Sequence, residues 1–208
     1  MTEQKNITAS CIISNNVVFK NENPLYENKV DELSDFLIAV YRHFELKYPK
    51  FYKMDNLSKL GLLATEVLLK DSLNPDEYKP EEIGIVLSNS SASIDTDIKY
   101  FETTKEIASP AIFVYTLPNI VIGEICIRNH FKGENAFFIF EEFDAEFIEQ
   151  YVSNLINNNI LQSCICGWVE LLNQQYKIVL FLIEKNKSAV GKLFTAENIF
   201  KIYELAHG

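Results

Sequence analysis

Apolar positions along the chain recur with two different periods. Val30, Leu33, Leu37, Val40 and Phe44 return at three- and four-residue steps, which predicts a helix over residues 30–44. Leu57, Leu60, Ala64, Val67 and Leu68 repeat that spacing over Asn56–Leu69, with Asp55 as N-cap. Residues 143–156 carry two rows, Phe147/Tyr151/Leu155 and Ile148/Val152/Ile156. Asp144 caps this helix and Phe143 staples onto Ile148. A last amphipathic helix is predicted over residues 195–206, capped by Thr195 or by the loop before it.

Other apolar runs are short and β-branched. Residues 7–19, 83–87 and 136–140 read as strands, and residues 161–172 and 176–183 as two adjacent strands joined by Asn173-Gln174-Gln175. Residues 21–28, with Pro24, and 71–82, with Pro75 and Pro80, read as loops. Residues 120–127 are ambiguous. Their Ile and Val content says strand, while Pro118 suits a first helical position. Strands alternate with helices, so the pattern predicts an α/β sandwich with parallel strands.

Composition narrows the function. The 208 residues hold 48% hydrophobic and 23% charged side chains, enough for one large domain or two small ones. With 19 basic against 29 acidic residues the net charge is −10, which argues against nucleic acid, because phosphate binding needs a basic face. All basic residues but Arg42 and Arg128 are lysines, so bidentate phosphate recognition is scarce. The polar start lacks a secretory pattern and no apolar run could span a membrane, so a cytoplasmic location with reduced cysteines is expected.

Candidate chemistry is sparse. Cys164 and Cys166 share one face of a strand and read as small buried hydrophobes, not metal ligands. His43, His130 and His207 lie far apart and form no pair. No glycine-rich phosphate loop, nucleophile elbow or other cofactor pattern occurs. Ser88-Asn89-Ser90-Ser91-Ala92-Ser93, between a strand and a helix, could cradle an anion or simply supply capping serines. Glu141-Glu142-Phe143-Asp144 is the most acidic strand-to-helix junction; its acids can stabilise the helix dipole, and a catalytic role would need a second titrating group.

Phe51-Tyr52-Lys53-Met54-Asp55, then Pro80-Glu81-Glu82-Ile83-Gly84-Ile85-Val86-Leu87, resemble the N-terminal half of the β-ketoacyl-acyl-carrier-protein synthases. Leu117-Pro118-Asn119-Ile120-Val121-Ile122-Gly123-Glu124-Ile125-Cys126-Ile127-Arg128 resembles that family's P-N-x-x-x-G-x-I-x-I-R helix. Lys132-Gly133-Glu134-Asn135 resembles its K-G-P-N turn, and Cys166-Gly167-Trp168-Val169-Glu170, more loosely, its A-G-G-x-E segment. The resemblance spans residues 51–170. It implies the N-terminal half of a thiolase-like fold over 1–208, a mixed, mostly parallel sheet layered with helices, with the family's C-terminal half absent. It implies helix for residues 119–130, with Asn119, Arg128, Lys132, Gly133 and Asn135 as structural motif residues and Gly123 packing closely in the core.

The departures shape the expected function. Ungapped alignment puts Glu142 where the family carries its nucleophilic cysteine, and a carboxylate does not form the required thioester. Cys126 is out of register, and none of the three histidines matches the family's decarboxylating pair. The resemblance therefore implies a non-catalytic accessory subunit similar to a chain-length factor, in polyketide, fatty-acid or polyene-pigment synthesis. Its expected partners are a full-length ketosynthase or a second copy, with an acyl carrier protein besides. The alternatives are a synthase-type enzyme completing its site in trans, and a carrier- or acyl-binding module. Phe137, Phe138, Ile139 and Phe140 either form the interface core or belong to a buried central strand.

Overall fold

The computed structural model describes residues 4–185, 187 and 191–205; His207 and the last predicted helical residue, Ala206, lie outside them. Along the chain run β1 (Lys5–Ser14), β2 (Val17–Lys20), β3 (Asn23–Glu27), α1 (Leu33–His43), α2 (Asn56–Leu69), β4 (Ile83–Asn89), α3 (Ile94–Thr103), α4 (Pro110–Phe113) and α5 (Ile120–Asn129). There follow β5 (Asn135–Ile139), α6 (Ala145–Asn157), β6 (Ser163–Leu172), β7 (Gln175–Lys185), β8 (Lys192–Leu193) and α7 (Ala196–Glu204). One sheet takes the order β3-β2-β1-β7-β6-β4-β5, with β8 also paired to β1.

The sheet is mixed, as expected, but among the described residues parallel pairing is confined to β4/β5 and β4/β6. The reason is β7, which runs antiparallel to both of its neighbours, β1 and β6. Strands β1, β4, β5 and β6 therefore point the same way although most pairings in the sheet are antiparallel. Successive side chains of a strand face opposite ways, and here both faces are covered. Ile178, Leu180 and Leu182 of β7 meet the layer of α1, α2 and α5. Val179, Phe181 and Ile183 meet α6 and α7. Ile7 and Ala9 should share a face by this rule, yet they join opposite cores. A register shift between them inserts an extra residue and flips the alternation.

Caps fix the helix starts much as the pattern predicts. Asp55 accepts a hydrogen bond from the Ser58 amide (3.0 Å), Asp144 from Phe147 (2.8 Å) and Thr195 from Asn198 (3.2 Å). Three local expectations change. Residues 7–19 are two strands, because Asn15 and Asn16 both take positive φ (49° and 61°) and close a two-residue hairpin. Residues 21–28 hold strand β3 rather than a loop, since Asn21 and Glu22 make a second such turn. Residues 120–127 are helical, but Pro118 stays in the preceding turn and the helix begins at Ile120.

Gly123 does not pack closely in the core. A methyl group there would meet no atom within 4 Å. The close approach is made from the other side, at Gly61 of α2, where an added Cβ would lie 2.3 Å from Cγ2 of Val121. Valine at χ1 is stiff and cannot move aside. We expect Gly61→Ala to destabilise the fold by about 1–3 kcal/mol through overpacking. Gly123→Ala, on an exposed helical surface, should be neutral or stabilising by about 0.5–1 kcal/mol. Denaturant unfolding of the two variants measures both.

Candidate functional site

Because β4, β5 and β6 point the same way, their carboxyl ends lie at one end of the sheet. The connection from β4 runs through α3 and α4 to α5, which joins one core, and the loop leaving β5 leads to α6, which joins the other. Crevices outside the carboxyl ends, where connections part to opposite faces, are the usual ligand sites of such sheets. Two concavities open here. One, of about 660 Å³, is lined by Phe140, Glu142, Phe143, Glu146, Glu197 and Phe200 among others. The other, about 300 Å³, lies between Ser90, Ser91, Glu170, Leu172, Gln175 and Lys177.

Glu142 sits in the larger one. It is exposed, on the loop between β5 and α6, and precedes the N-cap Asp144. Asp144 itself answers the start of α6 by taking the Phe147 amide, so the helix terminus is occupied two residues beyond Glu142. Across this end, Phe143 stacks on Tyr203 (centroids 4.4 Å apart), and Trp168 lies edge-on to both. Burial, then the nearby carboxylates of Glu204, Glu170 and Glu142, push the Tyr203 hydroxyl up to about 12. The Lys177 ammonium lies 3.4 Å from the centre of the Tyr203 ring.

The serine loop does cradle an anion, and the anion belongs to the chain. One carboxylate oxygen of Glu170 accepts from the Ser90 amide (2.6 Å), the Ser90 hydroxyl (2.9 Å) and the Ser91 amide (3.3 Å). Capping by Ser93 is not seen; its hydroxyl donates instead to the Thr116 carbonyl at 2.8 Å. Asn89 closes the loop with reciprocal bonds to Ala92, whose φ is +48°. Nothing local in the sequence marks Glu170 for this, because its partner loop is eighty residues away in the chain.

The other motif residues act as joints. Arg128 forks onto Glu66 of α2 through two 3.3 Å contacts and lies over the Tyr48 ring. The amides of Lys132 and Gly133 donate to the Pro80 and Ile83 carbonyls, and the Glu134 carbonyl receives the Ile85 amide, which stitches the turn beside β4. A Cβ at Gly133 would lie 2.4 Å from the Ile83 oxygen. Asn119 and Asn135 are exposed, and Asn119 makes no side-chain cap bond. Cys164 and Cys166 are fully buried in the α6/α7 core, where desolvation pushes both thiols up. His43 rests against Tyr26, and His130 ends α5 in the left-handed conformation.

Strand β5 is an edge strand, not a buried central one. Its aromatic side chains are already half-buried against their own chain. Phe137 packs on the α1/α2/α5 core, while Phe138 and Phe140 join Phe147 and Tyr151. Ile139 is exposed, and among the described residues the strand pairs with β4 alone, which leaves its outer edge open.

A buried acid escaped the sequence reading. Glu124 of α5 is 4% exposed, paired with Lys50 at 2.8 Å and accepting from the Tyr115 hydroxyl at 3.0 Å. A charge on the helical stripe of Val121, Ile125 and Arg128 was the available signal.

No family model and no curated protein matches the chain. Solved structures do. The ishigamide ketosynthase/chain length factor aligns with TM-score 0.64 at 16% identity over 91% of this chain, and a type II polyketide acyl-carrier protein in complex with its ketosynthase aligns with 0.62 at 15% over 91%. This chain spans 64% of the length of each. A ketosynthase in complex with its chain length factor from Xenorhabdus doucetiae aligns with 0.61 at 10% identity, over 99% of this chain and 92% of that one. The fold is thus the thiolase-like α/β fold of ketosynthases and chain length factors. Among the described residues no helix is long and apolar enough to cross a membrane.

We expect Glu170→Ala to release the serine loop. Losing a charge-assisted cradle should cost about 1.5–3 kcal/mol. Hydrogen exchange at the Ser90 and Ser91 amides should speed up while β7 amides keep their protection. Unchanged loop exchange would show that Glu170 does not hold it.

Proposed function

We propose that the chain is a non-catalytic, ketosynthase-like accessory subunit, comparable to a chain-length factor, which works beside a full-length ketosynthase in a type II polyketide or fatty-acid system such as polyene-pigment synthesis. One observation carries the reading: within a ketosynthase-type fold, the position expected to hold the nucleophilic cysteine is Glu142, an exposed carboxylate. A carboxylate attacking a thioester would yield a mixed anhydride that water cleaves, not a stored acyl chain. None of the four cysteines replaces it, since Cys11, Cys164 and Cys166 are buried and burial raises the Cys126 thiol too. A nucleophile therefore has to come from a partner chain, to which an acyl carrier protein brings the substrate.

The open edge of β5 supports an assembly role. An unpaired strand edge offers backbone donors and acceptors to another strand, and natural proteins cover or guard such edges. In this reading residues 137–140 meet the partner chiefly through backbone and Ile139, because Phe137, Phe138 and Phe140 already pack inward.

A second reading keeps Glu142 as an acid or base on a carrier-bound thioester, favoured by its place in the larger concavity. One co-expression experiment with the full-length ketosynthase encoded nearest to this chain separates the two. The accessory reading expects a complex on sizing, weakened roughly tenfold or more by Ile139→Asp, and turnover unchanged by Glu142→Ala. Loss of turnover in an intact Glu142→Ala complex favours the second reading. A chain that stays alone beside the ketosynthase refutes the first.

A further inference from the structure

One nucleophile beside the carboxyl-end crevices has no part in the accessory reading. Lys177 lies near the start of β7, directly across from Glu170 of β6 in the strand register. Its side chain is half-buried and lines the concavity of about 300 Å³ together with Ser90, Ser91, Leu172 and Tyr176. The ammonium lies 3.4 Å from the centre of the Tyr203 ring, so on that side it meets an aromatic face instead of water. Phe143 stacks on the same ring and Trp168 abuts it edge-on, which fixes the ring in place.

This setting changes the amine. Burial disfavours the charged form and brings Lys177 down to about 8, although the Glu204 carboxylate pulls the other way. The titrating groups around it are Glu170 of β6 and Tyr203 and Glu204 of α7, with Glu142 of the β5–α6 loop close enough to act on Tyr203. All three carboxylates favour the ammonium, so the lowering is what desolvation leaves after their attraction. At pH 7.5 a group at 8 is roughly a quarter uncharged, whereas an ordinary lysine is about 0.1% uncharged. Lower basicity weakens the nucleophile by about tenfold over that range, on the dependence known for thiols. The net gain is roughly tenfold.

An uncharged amine on the wall of a concavity is placed to attack an activated acyl group. Thioesters react with amines near neutral pH, while oxygen esters and amides scarcely do. Leu172 and the Tyr176 ring give a short acyl group an apolar seat in the same concavity. We infer that Lys177 is an acylation site of this chain, where its Nζ attacks the carbonyl carbon of an acyl thioester seated in that concavity. The N–C bond forms as the C–S bond breaks, and the amine proton passes through solvent to the departing sulfur. The products are an acylated lysine and a free thiol. Acylation removes a positive charge from among Glu142, Glu170 and Glu204 and sets an amide against the Tyr203 ring. The inference needs only a thioester, so it stands or falls apart from the accessory-subunit reading.

The test incubates the full chain with the acetyl thioester of N-acetylcysteamine from pH 6.5 to 9.5 and maps acetylation of each lysine by mass spectrometry. The inference expects Lys177 to react at least about fivefold faster than the exposed Lys29 at pH 7.5. Its rate levels off above about pH 8. Tyr203→Leu, with its fold checked by circular dichroism, slows Lys177 at pH 7.5 because the ammonium regains water, even though the approach widens; Tyr203→Phe keeps the wild-type rate. Lys177 reacting no faster than Lys29 overturns the inference. A rate that still climbs tenfold per pH unit at pH 9.5, or a folded Tyr203→Leu variant that reacts as fast as wild type or faster, overturns it as well.

Discussion

Strand β7 is hydrogen-bonded along both edges and buried on both faces, and it runs against the strands on either side of it. Each of its inner side chains needs a covering layer, so helices must lie on both sides of the sheet. Full burial of an Ile, Leu or Phe side chain is worth about 1.5–3 kcal/mol, and six alternating positions from Ile178 to Ile183 divide this between the two cores. The same strand separates the β1–β2–β3 unit from the parallel β5–β4–β6 unit. That separation leaves three carboxyl ends together and gives the candidate site its place.

At that end the chemistry is largely answered from within. The serine loop holds Glu170, Asp144 holds the start of α6, and the motif residues Arg128, Lys132 and Gly133 join α5 and the turn before β5 to α2 and β4. What stays open is the outer edge of β5 and the carboxylate of Glu142. Open backbone suits association with another protein better than catalysis.

Much of the fold was legible in the residues, for a stated reason. Helices α2, α6 and α7 have both a stripe and a capping side chain, and they start where those signals say. The hairpins β1–β2 and β2–β3 were missed because Asn15-Asn16 and Asn21-Glu22 are turns without glycine, so nothing local forced positive φ. Gly123 misled because a motif match names a residue without its neighbours. Packing decided that Gly61, on another helix, is the close contact. The site was legible only in part. Glu142 belongs to the most acidic strand-to-helix junction and lines the larger concavity, while the Glu170 cradle and the Glu124–Lys50 pair join segments far apart in the chain.

The sequence by itself determined the alternation of helices and strands, the caps and the clustering of acids at the strand-to-helix junction 141–144. Each is a local property, set by side-chain chemistry and spacing within a few residues. Only the tertiary structure decided that β5 is an edge, that its phenylalanines turn inward and that the serine loop is already filled. Those are questions of which surfaces meet. Sheet order and burial answer them through contacts between residues that no local pattern connects.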